Sequence, residues 1–151
     1  FVAARELEKP ESGIRIEATI FNRSRWPAQV CEAMSFRYDF TPDGNWKPTD
    51  VRTSLESAPE GVTCEVHGPP DGPWHVTVDF NGQTIYPGDR YRKTDRRTVN
   101  LTIEAPSWNS DNDPSYQGMN EKLRLLPQIA VYEGGKRLDG NAEARSDTKT
   151  K

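Results

Sequence analysis

IRIEATI, residues 14–20, is the stretch of this chain that decides its fold class, because apolar and polar side chains alternate along it. A period of two with one apolar face predicts a strand that is buried on one side only. The same alternation recurs in three further stretches, at residues 36–40 (FRYDF), 76–80 (VTVDF) and 99–103 (VNLTI). A last strand is predicted at residues 128–132, before a turn at residues 133–136.

Turn-forming residues separate these predicted strands. Twelve prolines and eleven glycines interrupt the chain, with clusters at residues 42–44, 68–73, 81–82 and 86–89. Such residues end helices and favour turns. The one helix-like segment, residues 120–126 (NEKLRLL), is short and stops before a proline. Several short strands with regular turn signals therefore predict an all-β fold, an antiparallel β-sandwich.

The length of 151 residues is typical of one domain with a substantial core. Its 20 basic and 23 acidic residues are interspersed and give a net charge of -3. The densest basic cluster, residues 90–97 (RYRKTDRR), is interpreted as a solvated hairpin connection. No apolar run approaches the 18 residues or so that a membrane-spanning helix needs. Composition therefore favours neither a nucleic-acid partner nor a membrane partner.

The ends of the chain and its cysteines add weaker constraints. The sequence begins at Phe1 without an initiator methionine, so we expect a module that belongs to a longer protein. Residues 144–151 are small and charged, as in a linker or tail. Cys31 and Cys64 form no CxxC pair, so a thiolate metal site is not expected. A disulfide between them and two free thiols remain equally open.

Two polar loops concentrate side-chain oxygens. In residues 108–118 (WNSDNDPSYQG), such oxygens come within five positions from Asn109, Asp111, Asn112 and Asp113. Thr41 and Asp43 form a second cluster, just after the strand-like residues 34–40. Calcium takes 6–8 oxygen ligands, and two loops at one end of a sandwich suit a shared cation. An ordinary surface loop rich in Asn and Asp is the alternative interpretation.

Catalytic chemistry is not expected from this sequence. The only histidines, His67 and His75, flank the Pro/Gly-rich connection and have no nucleophile motif nearby. We interpret them as surface or strand-edge residues. Clusters of His and Cys that would hold a catalytic zinc are missing, as is a glycine loop for phosphate. A glycosidase needs two carboxylates across a cleft, which a flat sandwich of this size rarely forms.

Several motifs, in order, carry a resemblance to a known family. They are residues 20–28 (IFNRSRWPA) followed by 34–38 (MSFRY), then 78–88 (VDFNGQTIYPG), 108–118, and 131–136 (VYEGGK) with 140–141. Over residues 1–143 the chain resembles a family 3 carbohydrate-binding module. It is most similar to subtype c, which is fused behind the catalytic module of processive family 9 endoglucanases. The resemblance implies a jelly-roll β-sandwich of about nine strands, with residues 144–151 outside it.

The same resemblance implies one structural calcium ion. Its ligands would be Thr41, Asp43, Asn109, Asn112 and Asp113, which agrees with the two oxygen clusters. Ser110 and Asp111 lie in the same loop but are not placed among the ligands. An ion that binds only the folded state stabilises that state by mass action.

For glycan binding the resemblance offers two faces. Members that bind crystalline cellulose carry a planar aromatic strip, which is shortened here at residues 104–108. Trp46 and Trp74 are either exposed platforms or, as we favour, covers for the ends of the sandwich. The opposite face has a shallow groove in this family, and Arg37 and Tyr86 match groove positions.

Alternation places Arg37 on the same face as Asp39, away from Phe36 and Tyr38. An outward arginine beside a carboxylate suits sugar hydroxyls, while a surface ion pair of little energetic value is the alternative. The glycan-binding candidates are therefore Arg37, Asp39 and Tyr86. Pro114 departs from the family pattern, because an aromatic residue is common at that position.

Three functions remain in competition. The first is a non-catalytic module of a secreted cellulase that feeds a β-1,4-glucan chain to an adjoining family 9 catalytic domain. The second is an autonomous targeting module for crystalline cellulose. The third is a structural spacer or sensor whose only partner is a protein.

Overall fold

The computed structural model describes residues 1–8, 10–24, 28–70, 72–88 and 93–138. Several predictions lie partly or wholly outside these residues: Trp26 within the first family motif, residues 90–92 of the basic cluster, the motif at 140–141, and the module boundary at 143/144. No helix of the described residues is both long enough and apolar enough to cross a membrane.

The described chain folds into ten strands with three short 3-10 turns. The strands are β1 (Val2–Glu6), β2 (Gly13–Phe21), β3 (Met34–Asp39), β4 (Arg52–Ser57), β5 (Thr63–His67), β6 (His75–Asp79), β7 (Arg96–Glu104), β8 (Arg124–Leu125), β9 (Ala130–Glu133) and β10 (Lys136–Leu138). The 3-10 turns are Pro48–Asp50, Ser110–Asn112 and Pro114–Tyr116. The described residues thus contain strands and 3-10 turns but no α-helix, as the sequence predicts.

Two five-stranded antiparallel sheets form a sandwich. Sheet 1 has the strand order β4-β7-β2-β1-β8, and sheet 2 has the order β10-β9-β3-β6-β5. The longest pairing joins β2 to β7 over nine residue pairs in sheet 1. In sheet 2, β3 lies between β6 and β9. The predicted antiparallel β-sandwich is confirmed, with ten strands in place of about nine.

The core lies between the sheets, where the alternating apolar residues meet. Ile14, Ile16 and Ile20 of β2 are fully buried against the inner residues of sheet 2, among them Phe36 and Val78. Burying one such side chain contributes about 1.5–3 kcal/mol. The polar residues between them face outward, so the two-residue period of the sequence fixes which face of each strand enters the core.

The helix-like segment at residues 120–126 does not form a helix. This segment is extended and includes β8, which pairs with β1. Leu123 and Leu125 are half exposed, whereas Leu126 is buried and its N–H donates to the Val2 carbonyl over 2.9 Å. Pairing with a sheet edge satisfies the backbone, while a helix of seven residues is too short to be stable without a buried face.

Both cysteines are free thiols, which decides between the two alternatives for them. Cys31 is buried and forms an isolated antiparallel bridge with Ile85, before β3 begins. Cys64 lies on β5, beside Val78 of β6.

Candidate calcium centre and glycan-facing sheet

Asp113 is a buried carboxylate between two 3-10 turns, and only 1% of its surface is exposed. Its Oδ1 accepts a hydrogen bond from the Thr41 backbone N–H over 2.9 Å. Its Oδ2 is buried and has no hydrogen-bond partner. A buried carboxylate oxygen without a partner is costly, so this position calls for a positively charged or proton-donating group.

Asp43 joins the two oxygen clusters. Its Oδ2 accepts from the Asn109 backbone N–H over 2.7 Å, and its Oδ1 accepts from Nδ2 of Asn112 over 2.6 Å. Ser107 donates its hydroxyl to the Asp43 carbonyl over 3.1 Å. The structure therefore brings all five predicted calcium ligands into one cluster at the end of β3. In the sequence, about seventy positions separate the two ligands after β3 from the three in the later loop.

The electrostatics of the cluster favour the binding of a cation. Burial, together with the nearby Asp43 carboxylate, raises the pKa of Asp113 to about 7, although the Thr41 N–H partly offsets the rise. Two carboxylates and two amide side chains carry oxygen atoms of the kind that calcium prefers as ligands. The described residues contain no group of three or more His, Cys, Asp or Glu side chains that could hold a metal ion, so a calcium ion here would depend on the amide and threonine oxygens as well as on the two carboxylates. The residues present fit calcium.

Ser110 and Asp111 have other roles in the loop. The Ser110 hydroxyl accepts from the Trp108 indole N–H over 2.8 Å. The Asp111 N–H donates to Oδ1 of Asn109 over 3.1 Å, and the Asp111 side chain is exposed. These hydrogen bonds fix the shape of the loop and agree with leaving both residues out of the ligand set.

The tryptophans form a cluster beside this site. The Phe40 ring lies 6.5 Å from Trp46, 5.8 Å from Trp74 and 5.4 Å from Trp108, measured between centroids. Trp46 and Trp74 are nearly perpendicular, at 86°. Because Trp74 is only 9% exposed and the two rings are not coplanar, they cover the sandwich end. The favoured interpretation of Trp46 and Trp74 is confirmed.

Arg37 lies at the centre of the outer face of sheet 2. Its Nη2 is 3.7 Å from Oδ1 of Asp39 and 3.0 Å from Nδ1 of His75. Its Nη1 donates to the Tyr132 hydroxyl over 3.3 Å, and its guanidinium carbon lies 5.9 Å from the centre of that ring. Four side chains from three strands thus present donors, acceptors and a ring on one flat face.

Tyr86 is half exposed but stands apart from this group. It follows the Ile85–Cys31 bridge, and its backbone N–H donates to the Thr94 carbonyl over 2.9 Å. Within the residues that the structure describes, no hydrogen bond or ring contact joins Tyr86 to Arg37. The structure therefore brings together two of the three predicted glycan-binding residues.

Sequence reasoning missed Tyr132 and His75 as members of this face. Tyr132 pairs with Ser35 across β9 and β3, and His75 pairs with Asp39 across β6 and β3. Paired residues of neighbouring strands point to the same side of a sheet. The period of β3 gave the outward direction of Arg37, but only the registers of the sheet show which residues lie beside it.

Comparison with known proteins identifies the family to which this sequence is similar. The family model CBM_3, described as a cellulose binding domain, matches residues 2–140. The chain is 32% identical over 133 residues to Endoglucanase B of Cellulomonas fimi, a match that covers 85% of this chain and 12% of that protein. It is 26% identical over 145 residues to Endoglucanase A of Bacillus pumilus, covering 89% of this chain and 22% of that protein. The chain therefore spans about a fifth or less of the length of these relatives.

Solved structures share the fold at lower identity. Endoglucanase CelQ from Clostridium thermocellum, in complex with cellotetraose, superposes with a TM-score of 0.79 at 22% identity over 93% of this chain and 25% of that chain. A CBM3 of Hungateiclostridium clariflavum superposes with a TM-score of 0.69 at 16% identity over 92% of this chain and 94% of that chain. Because the family model matches nearly the whole described sandwich, the chain belongs to the cellulose binding domain family CBM_3, the family 3 carbohydrate-binding modules, which are non-catalytic binding modules.

Proposed function

We propose that this module binds a single β-1,4-glucan chain on the outer face of sheet 2 and feeds it to an adjoining catalytic domain of a secreted cellulase. The observation that carries the proposal is the group formed by Arg37, Asp39, His75 and Tyr132. Charged and amphipathic side chains that share one flat face suit the hydroxyl edges and the apolar faces of pyranose rings.

An accessory role is favoured over autonomous targeting by the placement of the tryptophans. Trp46, Trp74 and Trp108 pack around Phe40 at one end of the sandwich. They are unavailable as a coplanar exposed row, which is what a surface needs to stack on many sugar rings of crystalline cellulose. Weak binding to one chain, strengthened by a covalently attached catalytic domain at high effective concentration, requires no such row.

The attached domain is part of the same proposal. The curated relatives are endoglucanases in which the matching segment is a small share of the whole protein. We assign the partner to family 9 because the sequence motifs resemble subtype c. Secretion follows from the substrate, since cellulose is an insoluble polymer that a cell meets outside its membrane.

Calcium has a structural role in this proposal. Thr41, Asp43, Asn109, Asn112 and Asp113 would hold the ion, which would compensate the buried Asp113 carboxylate. The ion would tie the loop after β3 to the segment before Asp113. Both loops lie next to the strand that carries Arg37, so calcium would support the binding face without touching the glycan.

The test measures binding and hydrolysis with one pair of variants. Arg37→Ala removes the centre of the face, while Arg5→Ala removes an exposed arginine of sheet 1 that pairs with Glu17 over 3.1 Å. We expect cellohexaose to shift NMR signals of sheet 2 in the wild type and in Arg5→Ala, but not in Arg37→Ala. In the full-length enzyme, Arg37→Ala should lower the release of soluble sugar from amorphous cellulose, and Arg5→Ala should not.

Pull-down assays separate the competing functions. If microcrystalline cellulose removes the isolated module from solution, autonomous targeting is the function and the accessory role is wrong. No response to cellohexaose, combined with unchanged hydrolysis by the full-length Arg37→Ala enzyme, would leave a spacer or sensor with a protein partner as the remaining function.

A further inference from the structure

The edge strand β5 carries a second carboxylate beside a nitrogen donor, on the same face of sheet 2 as Arg37 and Asp39. Oε2 of Glu65 lies 3.6 Å from Nε2 of His67, and Oδ1 of Asp39 lies 3.7 Å from Nη2 of Arg37. Both side chains of β5 reach solvent, since 77% of Glu65 and 38% of His67 is exposed. The outer face of sheet 2 thus presents two such pairs, the β3 pair (Arg37 and Asp39) and the β5 pair (Glu65 and His67).

The strand registers place the two pairs directly opposite each other, with β6 between them. Two rows of paired residues run straight across β3, β6 and β5: Arg37–Thr77–Glu65 and Asp39–His75–His67. Paired residues of neighbouring strands point to the same side of a sheet. Two strand spacings of about 4.8 Å separate the pairs, or about 9.6 Å in total. The His75 and His67 rings have centroids 4.9 Å apart and planes 21° apart, so the second row continues to the sheet edge.

The spacing of the strands matches the repeat of a β-1,4-glucan. Neighbouring strands lie about 4.8 Å apart, which is close to the advance of the glucan chain per glucose ring. Successive rings of such a chain are turned over, so rings two apart present the same hydroxyl edge. A chain that lies straight across the strands would therefore bring the same edge to the β3 pair and to the β5 pair. Each sugar hydroxyl both donates and accepts, which suits a carboxylate beside a nitrogen donor.

We propose that Glu65 and His67 form a second sugar subsite, and that a β-1,4-glucan crosses sheet 2 at right angles to its strands, with one glucose ring each over β3, β6 and β5. This inference rests on the proposed function and adds to it the path of the chain. It also sets the shortest ligand that fills both subsites, which is cellotriose. A chain that followed the next row of the same face would miss the β5 pair; that row consists of Tyr132, Ser35, Asp79 and Thr63.

The experiment compares cellobiose, cellotriose and cellohexaose in NMR titrations of this chain in calcium-containing buffer. His67→Ala and Glu65→Ala each remove one half of the β5 pair. Thr63→Ala is the matched control, on the same strand and the same outer face but in the other row. Arg37→Ala removes the donor of the β3 pair. Thermal melts establish that each variant is folded.

We expect the wild type and Thr63→Ala to bind cellotriose about fivefold or more tightly than cellobiose, the gain from about one net hydrogen bond. His67→Ala and Glu65→Ala should bind cellobiose as the wild type does and lose most of the gain for cellotriose. A side chain that only stabilises the fold would not weaken binding of the longer ligand and spare the shorter one.

Two kinds of failure are distinguishable. Equal cellotriose affinity in the wild type and both folded β5 variants, together with its loss in Arg37→Ala, would overturn the second subsite and leave the proposed function standing. Equal affinity of the wild type for cellobiose and cellotriose, or weaker binding in Thr63→Ala, would overturn it as well. If no oligosaccharide up to cellohexaose shifts a signal of sheet 2, the proposed function and the second subsite are both wrong.

Discussion

Two buried aspartates, one at each end of the sandwich, are compensated in different ways. Asp95 is fully buried before β7, where it pairs with Arg23 and, over 2.9 Å, with Arg96. Asp113 is almost as buried at the other end, beside Thr41 and Asp43. Its Oδ2 has no hydrogen-bond partner, and the charged group that helps to raise its pKa is another carboxylate, Asp43.

Among the described residues, the chain thus supplies its own cations at the Asp95 end and not at the Asp113 end. Around Asp95, both guanidiniums also lie 4.8 Å from the centre of the Phe21 ring, which keeps them in place by cation–π contact. Asp113 has no such partner among the described residues. We propose that calcium from solution compensates the buried Asp113 carboxylate, which otherwise carries the cost of burial without a partner charge.

The largest effect should follow from Asp95→Asn. This change leaves two guanidiniums without their shared counter-charge, and breaking a buried ion pair typically costs about 3–5 kcal/mol. Because Arg23 and Arg96 are partly exposed, we expect about 3 kcal/mol. Urea unfolding measures the loss. Calcium should not restore it, and a full recovery in calcium would show that the two ends are not independent.

Removal of calcium should have the next largest effect. Adding a chelator to the wild type should lower the free energy of unfolding by about 2.7 kcal/mol if calcium was present at roughly a hundredfold excess over its dissociation constant. Asp113→Asn tests whether Asp113 binds calcium. It removes the negative charge that would bind the ion, and with it the cost of burying a carboxylate that has no partner.

The change in stability caused by Asp113→Asn should therefore have opposite signs with and without calcium. In calcium the variant should be less stable than the wild type, and in chelator at pH 8 it should be as stable or more stable. Paired thermal melts with and without calcium measure this difference. A variant that is less stable by the same amount in both buffers would contradict calcium binding at Asp113.

Much of the fold could be predicted because its central strands have one apolar face. β2, β3, β6 and β7 carry that alternation, and each was predicted within one to three residues at either end. β4 and β5 were missed because they lie at sheet edges, where few of their side chains are buried. Edge strands follow their neighbours and do not show a pattern of their own.

The two candidate sites differ in how much of them the sequence contains. The proposed calcium site was predictable because each of its two oxygen clusters lies in a short polar stretch, Thr41 and Asp43 in one and Asn109, Asn112 and Asp113 in the other, and the family resemblance then gave the ligand set. The proposed glycan-binding group of Arg37, Asp39, His75 and Tyr132 was only half predictable, since Tyr132 and His75 reach Arg37 through strand registers. Registers depend on the packing of the whole sheet, which no local pattern contains.

A pH series in chelator should sharpen the contrast between the two ends. The pKa of folded Asp113 is raised to about 7, above the value near 3.9 expected of an unfolded chain. The folded state then holds more protons than the unfolded state between about pH 4 and 7, so stability falls as the pH rises through this window. Three pKa units correspond to about 4 kcal/mol, and local opening of the calcium-free loop should reduce the loss to about 1–2 kcal/mol.

Asp113→Asn isolates this titration from those of other groups. The variant should lose the fall in stability between pH 4 and 7, and the wild type should lose most of it when calcium is present. Thermal melts at half-unit pH steps measure both curves. If the wild type in chelator becomes more stable across this window, the buried carboxylate is already compensated by the protein.

The smallest effect should be optical and confined to the calcium end. Trp108 precedes the loop, its indole N–H donates to the Ser110 hydroxyl, and its ring stacks on Trp46 at 6.2 Å between centroids and 14° between planes. Ordering of the loop by calcium should change the intrinsic fluorescence by a saturable amount. Trp108→Phe should abolish most of that change while leaving the calcium-dependent shift in melting temperature, since the substitution removes the reporter and keeps the ligands.

Asp95→Asn, at the other end, should leave the fluorescence titration unaltered. If it altered the titration, the two ends would be coupled through the core. The effect of calcium would then not be confined to the site at Asp113.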